Sequence, residues 1–324
     1  MMNNEQLVGN EVAEAVREGL SQSPRRLPSW LLYDTEGSRL FAQIMHLPEY
    51  YLTRSEFEIF AQYKEDFARL FSPGGEPFEL IELGPGDGLK TKVLLRHFVE
   101  QNLPFSYIPV DISEDALNQL AAALQLQWPG LDVRPQHDDY FRALALLSEE
   151  YTRKVVLFLG SNIGNYAWDE IHEFYHQLSR RLRPGDLVVT GFDLQKHPAV
   201  IQAAYTDSAG LTRAFNLNLL RRLNRELDAT FDLSAWDHYE TYNPETGEAR
   251  SYLVSQKAQT VRFGALDWEV TFPYADLIHT EISRKFRAEE INRLAAQTGF
   301  AVKEWKTDCK GYFADVVFER LHTE

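Results

Sequence analysis

Apolar and polar positions change rhythm along this chain. Val8, Val12, Val16 and Leu20 recur at four-residue intervals, which predicts a helix over residues 5–22. From residue 57 another helix leads into short β-prone apolar runs separated by helical periods. The runs are Phe78–Leu83, Ser106–Asp111, Asp132–Pro135, Lys154–Leu159 and Asp186–Phe192, with helices resuming at Lys90, Ser113 and Trp168. Strands alternating with helices through short turns predict a doubly wound parallel sheet with ligands at the carboxyl ends of its strands. Beyond residue 196 the rhythm changes. A helix over Leu211–Leu227 is followed by alternating segments, Ala249–Gln256 and Gln259–Phe263, of antiparallel character. Ala288–Gly299 is a helix ended by glycine, and Ala301–Trp305 with Phe313–Leu321 forms a closing strand pair that returns to the sheet. The predicted domains are therefore discontinuous: residues 57–195 with 286–324 for the sheet, and 1–56 with 196–285 for a smaller α+β lobe.

With 324 residues, 44% hydrophobic and 25% charged, the chain has the composition of an ordinary globular protein with a real core. A formal charge of −15 speaks against nucleic acid or an anionic membrane surface as partner. The single Cys309 excludes an internal disulfide and a cysteine-rich metal site. The opening residues lack the basic and apolar regions of a signal peptide, and no apolar run reaches a membrane span, so a cytoplasmic protein with no obligate protein partner is expected.

The chemistry concentrates at FELIELGPGDGLKTKVLL, residues 78–95. Strand, glycine turn and helix start make a nucleotide-type site, because glycine lets backbone approach a ligand and helix N-terminal N–H groups are free to bind. The spacing is neither that of a dinucleotide fold nor that of a P-loop. Asp111 ends the next strand, where a carboxylate can accept both ribose hydroxyls of a nucleoside. Nicotinamide enzymes and class I methyltransferases share that device. Glu82 before the glycines, and the closing strand pair, favour the methyltransferase and S-adenosylmethionine. After the third strand, Asp139 can accept from an adenine amino group and Tyr140 can stack on the ring; a solvated turn is the plain alternative. Tyr33 and Tyr51 fall in loop-like sequence where a phenol can face a ligand. The nine histidines are scattered without ligand spacing, so no metal is expected.

The strings YDTEGSRLFAQIMHLPEYYLTRSE, IELGPGDGLKT, GSNIGNY, AYTDSAGLTRAFNLNLLRRLNREL and TEISRKF resemble, in order and across nearly the whole chain, the histidine Nα-methyltransferase family of ergothioneine biosynthesis. The resemblance implies a class I methyltransferase fold with a second, substrate-binding lobe, and methylation of the α-amino group of histidine to Nα-methylated histidine or hercynine. It implies that Gly84, Lys90 and Asp111 bind S-adenosylmethionine, that Asp139 and Tyr140 hold its adenine, and that Tyr33 lies beside its methionine portion. Asn165 and Tyr205 would hold the amino acid's α-amino and carboxylate groups, and Glu281 and Ser283 would face the imidazole. Tyr51 would close the pocket at the reacting amine. Two positions depart from histidine-specific members: the GPGDG turn, and Ser251 where those members carry methionine. A different small amine, and a catalytically silent cofactor-binding relative, stay open at this point.

Overall fold

The computed structural model describes residues 4–147 and 152–322, with side chains from residue 11 onward and without those of 146–147. In chain order the elements are α1 (Asn4–Ser21), β1 (Arg25–Arg26), α2 (Thr35–Ile44), α3 (Leu52–Phe71), β2 (Phe78–Leu83), α4 (Thr91–Glu100) and β3 (Phe105–Asp111). Then come α5 (Glu114–Gln127), β4 (Asp132–Val133), β5 (Gln136–His137), α6 (Tyr140–Leu147), β6 (Arg153–Phe158), α7 (Trp168–Arg181) and β7 (Leu187–Asp193). The remainder is α8 (Pro198–Tyr205), α9 (Leu211–Leu227), β8 (Trp236–Asn243), β9 (Glu248–Ser255), β10 (Gln259–Phe263), β11 (Trp268–Phe272), β12 (Leu277–Arg284), α10 (Ala288–Thr298), β13 (Phe300–Thr307) and β14 (Phe313–Arg320).

The chain divides into two units, Leu52–Gln195 with Lys285–Glu324, and Met1–Tyr51 with Lys196–Arg284. The break after Tyr51 precedes the expected one at 56/57. Residues 52–56 are the first turn of α3, whose Leu52, Ser55, Glu56, Ile59 and Phe60 are all buried, so the helix belongs to one unit as a whole.

The larger unit is built on a sheet of order β13-β14-β7-β6-β2-β3-β4, with β5 also paired to β3. Strands β7, β6, β2, β3 and β4 run parallel, whereas β14 is antiparallel to β7 and β13 to β14. This is the Rossmann-like sheet of class I methyltransferases with its antiparallel C-terminal pair. Every residue of β2 and β7 is buried, as expected of strands covered on both faces. The third predicted strand shortens to Asp132–Val133, because Pro135 has no N–H with which to continue the ladder to β3. Strand order reverses between β2 and β6, so the turns after β2, β3 and β6 open at one switch point.

The smaller unit holds a four-stranded sheet of order β1-β12-β9-β8 and the separate pair β10–β11. The burial of β9 alternates strictly, the mark of a sheet packed on one face. In α1, Val12, Val16 and Leu20 are buried as their spacing predicts, while the side chain of Val8 lies outside the described residues.

Where β2 and β3 begin, at the end of the sheet away from the glycine turn, Phe71, Phe78, Phe98 and Phe105 interlock, Phe98 meeting the other three with centroids 5.9, 5.9 and 5.6 Å away. Replacing the fully buried Phe98 by alanine is expected to cost about 3–5 kcal/mol. Leu126→Ala, at a side chain 87% exposed, should stay within about 0.5 kcal/mol. Urea unfolding followed by circular dichroism compares them, and equal midpoints would contradict this packing account.

Candidate active site

In the sheet unit the glycine turn is shaped by close approach. Gly84 has φ +68°, and a Cβ there would lie 2.7 Å from the Tyr140 hydroxyl, so the backbone passes directly against that phenol tip. Gly84 N–H donates to Val110 O at 2.9 Å, tying the turn to the strand that ends in Asp111. Asp111 is half-buried and its carboxyl is pushed up by burial, partly offset by N–H donors from Ser113 and Ile112. Hydroxyl donors from a ribose would answer that shortage. Ser113 also caps α5 by accepting from Ala116 N–H at 3.3 Å.

Tyr140 packs edge-on to Phe158 at 6.1 Å, and burial, then Tyr166 and Asp111, raise its phenol, so it stays protonated. Asp139 Oδ1 accepts from the N–H groups of Phe141 and Arg142, both at 3.0 Å, as a helix cap does. Lys90 immediately precedes α4 and forms an ion pair with Glu56. Asn165 closes a short turn of 3₁₀-helix at Asn162–Asn165 after β6. Gly84, Lys90, Asp111, Asp139, Tyr140 and Asn165 therefore all belong to this unit, on the turns that follow β2, β3, β5 and β6. A backbone cradle, a carboxylate at the next strand end and a tyrosine whose phenol tip meets the turn fit the nucleoside and amino-acid tail of S-adenosylmethionine.

Glu82 lies under this turn, fully enclosed. Its carboxyl accepts from Thr91 Oγ1 at 2.6 Å and from Tyr107 Oη at 2.5 Å, joining β2 to α4 and β3. Desolvation raises it to about 7, against the lowering effects of Thr91, Tyr107 and Lys90.

Tyr33, Tyr51, Tyr205, Glu281 and Ser283 belong to the smaller unit. Tyr33 meets Phe41 and Phe215 at 5.5 and 5.4 Å, and Tyr50 meets Phe41 and Tyr205 at 6.1 and 6.4 Å. Surrounding protein, then Glu281, Tyr50 and Tyr205, raise the Tyr33 phenol well above its ordinary value. Tyr205 Oη and Ser283 Oγ are 2.8 Å apart, tying the end of α8 to β12. The register places Glu281 opposite Ser251 and Ser283 opposite Ala249, so Glu281 and Ser283 share one face. Ser251 in turn donates to Glu240 at 2.5 Å across β8.

The unusual strings find physical reasons here. Asp34 of YDTEGS caps α2 by accepting Gly37 N–H at 2.8 Å and is itself held by Asn218 at 2.7 Å and Arg225 at 2.8 Å. Asn216 of AFNLN accepts from Thr280 at 2.8 Å, next to Glu281. The two asparagines thus pin the Tyr33 turn and the Glu281 strand to one helix.

The structure distinguishes the two tyrosines of LPEYY. Tyr51 accepts a hydrogen bond from Lys196 Nζ at 2.7 Å, and that ammonium lies 4.3 Å from the ring centroid. Tyr50, passed over in the sequence, is the ring that joins Phe41 and Tyr205. Adjacent identical residues give no sequence signal to choose between them. Glu56, Glu240 and Asp315 were also passed over; an acid within the apolar run FADVVF was a usable sign.

Sequence comparison identifies related proteins. A family described as "Histidine-specific methyltransferase, SAM-dependent" matches residues 12–320. A histidine N-alpha-methyltransferase of Mycolicibacterium smegmatis is 38% identical over 311 residues, 95% of each chain. One from Mycobacterium tuberculosis is 35% identical, covering 92% of this chain and 91% of that one. Ergothioneine biosynthesis protein 1 of Schizosaccharomyces pombe is 29% identical over 94% of this chain and 40% of its own length. The mitomycin 7-O-methyltransferase MmcR superposes with a TM-score of 0.50 at 10% identity, covering 96% of this chain and 66% of that one, a likeness of fold.

Because Glu82 is held above its ordinary value of 4.5, its contribution to stability is greatest below that value and falls as pH rises toward about 7. Glu82→Gln removes this fall. The stability of the variant relative to the native protein should therefore climb between pH 5 and 8, by an amount on the order of a few kcal/mol. Urea titrations at the two pH values measure it, and a pH-independent difference would count against a buried neutral carboxyl.

Proposed function

The chain belongs to the histidine-specific, S-adenosylmethionine-dependent methyltransferase family, and from that premise we propose that it methylates the α-amino group of L-histidine. It is an S-adenosylmethionine-dependent methyltransferase; the substrate and the residue roles are the proposed part. The observation that carries the reading is the Tyr205–Ser283 hydrogen bond on the strand face that also presents Glu281. A carboxylate and a hydroxyl on one face, walled by aromatic rings, suit a small heteroaromatic ring bearing N–H groups.

S-adenosylmethionine, when bound, supplies a methyl group on a cationic sulfur for in-line attack by a neutral amine nitrogen. Around it, Gly84 gives backbone access, Lys90 a cation for the methionine carboxylate, Asp111 an acceptor for the ribose, and Asp139 with Tyr140 the adenine contacts. Asn165 and Tyr205 bind the substrate's α-amino and carboxylate groups, and Glu281 and Ser283 receive the imidazole. Tyr33 serves as hydrogen-bond donor beside the methionine portion, since its raised phenol is not an available base at neutral pH. Tyr51, whose hydroxyl accepts from Lys196, closes the pocket at the reacting amine, and the rings of Tyr51 and Tyr205 tolerate a growing ammonium. Water receives the proton that the attacking amine must lose. The methylated histidine, up to hercynine, would enter ergothioneine synthesis, the process named for the Schizosaccharomyces pombe relative.

Glu240 supports a second reading. It is 4% exposed, and its Oε1 has no partner among the described residues, while its Oε2 accepts from Ser251 directly opposite Glu281. Two carboxylates at one wall would favour a side chain more basic than imidazole.

Mass spectrometry after incubation with S-adenosylmethionine and a panel of amino acids tests both. Nα-methylated histidine is the expected main product; preference for a basic amino acid supports the second reading, and no methylated amine from any member sinks both. Glu281→Ala should raise KM for histidine about tenfold to a hundredfold, the loss of one charged hydrogen bond, with cofactor affinity within about twofold. Equal weakening of both would mark Glu281 as structural.

A further inference from the structure

Glu56 has no part in the roles assigned above, yet three groups converge on its carboxylate. It lies on the first turns of α3, is wholly buried, and forms an ion pair with Lys90 at the start of α4. Both of its oxygens accept Gly160 N–H, at 2.8 and 3.1 Å, where the chain leaves β6. A methyl group on Gly160 would come within 3.2 Å of Lys90 Nζ, so lysine, carboxylate and turn form one cluster beside the glycine loop. The sheet has been cleared to admit the carboxylate: a Cβ on Gly191 of β7 would stand 2.3 Å from Glu56 Oε1.

The third group is Asp315, directly opposite Gly191 on β14. It is wholly buried, and neither oxygen finds a donor among the described residues. Burial first, then the charge of Glu56, pushes its carboxyl well above the ordinary range, with Lys90 opposing. Lys306, opposite Asp315 on β13, is committed to Asp66 at 2.8 Å and Glu304 at 3.1 Å. Two carboxylates sealed from water beside a single ammonium, whose side chain stays 21% exposed, would carry an uncompensated negative charge. One proton between Glu56 and Asp315 removes it and supplies the donor that Asp315 lacks.

We propose that Glu56 is a positioning residue for the amino-acid end of the cofactor, fixing Lys90 and the Gly160 turn, with a protonated Asp315 as its hydrogen-bond donor. This rests on the reading of the glycine turn as the S-adenosylmethionine site. An ammonium has three donors; with one held by Glu56, the other two are set in place for a carboxylate. Ionisation of Asp315 at high pH would draw Lys90 back toward the buried acids and weaken that grip.

Calorimetric binding of three ligands to the full chain tests this: S-adenosylmethionine, S-adenosylhomocysteine, and 5′-methylthioadenosine, which lacks the amino-acid end. Glu56→Gln should raise Kd for the first two at least about tenfold, as expected for loss of a charged hydrogen-bond partner, and leave the third within about twofold. Equal weakening of all three, or unchanged binding by the folded variant, overturns the positioning role. In the native protein Kd for S-adenosylmethionine should rise from pH 6 to pH 9, and in Asp315→Asn, whose amide keeps its donor, that rise should flatten. An unaltered slope in Asp315→Asn overturns the shared proton, and this variant carries the test should Glu56→Gln not fold. Lys90→Ala separates the premise from the inference. If it binds all three ligands normally while Glu56→Gln does not, the role of Lys90 fails. If the native chain binds none of them, the glycine-turn reading falls and the inference with it.

Discussion

A carboxylate sealed from water is costly unless donors reach it, and the cofactor unit is arranged around two such groups. Glu82 gathers Thr91 and Tyr107, and so fixes the strand, the helix start and the neighbouring strand that together frame the glycine turn. Glu56 gathers Lys90 and the Gly160 N–H, joining the same helix start to the exit of β6. The turn can be built of glycines, and hence open to a ligand, because the acids beneath it supply the rigidity its own backbone lacks. A site of this kind is stabilised by polar contacts that exist only in the folded state, and its pH response follows from them.

The smaller unit solves a parallel problem with neutral amides. Along α9, Asn216 and Asn218 are both 1% exposed, and each spends its side chain on a different part of the unit. Asn218 holds Asp34, which caps α2 and follows Tyr33; Asn216 meets Thr280, which precedes Glu281. Tyrosine and glutamate are thereby placed by groups that need no ligand. The bulge between His279 and Glu281 lets Thr280 turn to Asn216 while Glu281 and Ser283 keep one face.

The class I sheet was legible in the sequence because each of its signals is local. Buried parallel strands are short apolar runs, Leu211–Leu227 repeats with a helical period, and the glycines and Asp111 sit at strand ends where the chain must turn. The antiparallel sheet was legible only in part. Strand β9 alternates cleanly, whereas β8 (WDHYETYN) and β12 (LIHTEISR) carry polar residues on both faces and their burial does not alternate. In the segment dense with aromatics, composition could not say which rings share a cluster; that depends on where α2 ends and α3 begins.

The strand, glycine turn and following acid, together with the family strings, determined by themselves a class I fold and its S-adenosylmethionine chemistry, since those features act through backbone geometry set within a few residues. Only the tertiary structure decided that Tyr50 joins the ring cluster while Tyr51 takes Lys196, that Ser251 is held by Glu240, and that the buried acids Glu56 and Asp315 form one charge cluster with Lys90. Those pairings join residues up to 259 positions apart, and their energies depend on burial and donor geometry that no local pattern encodes.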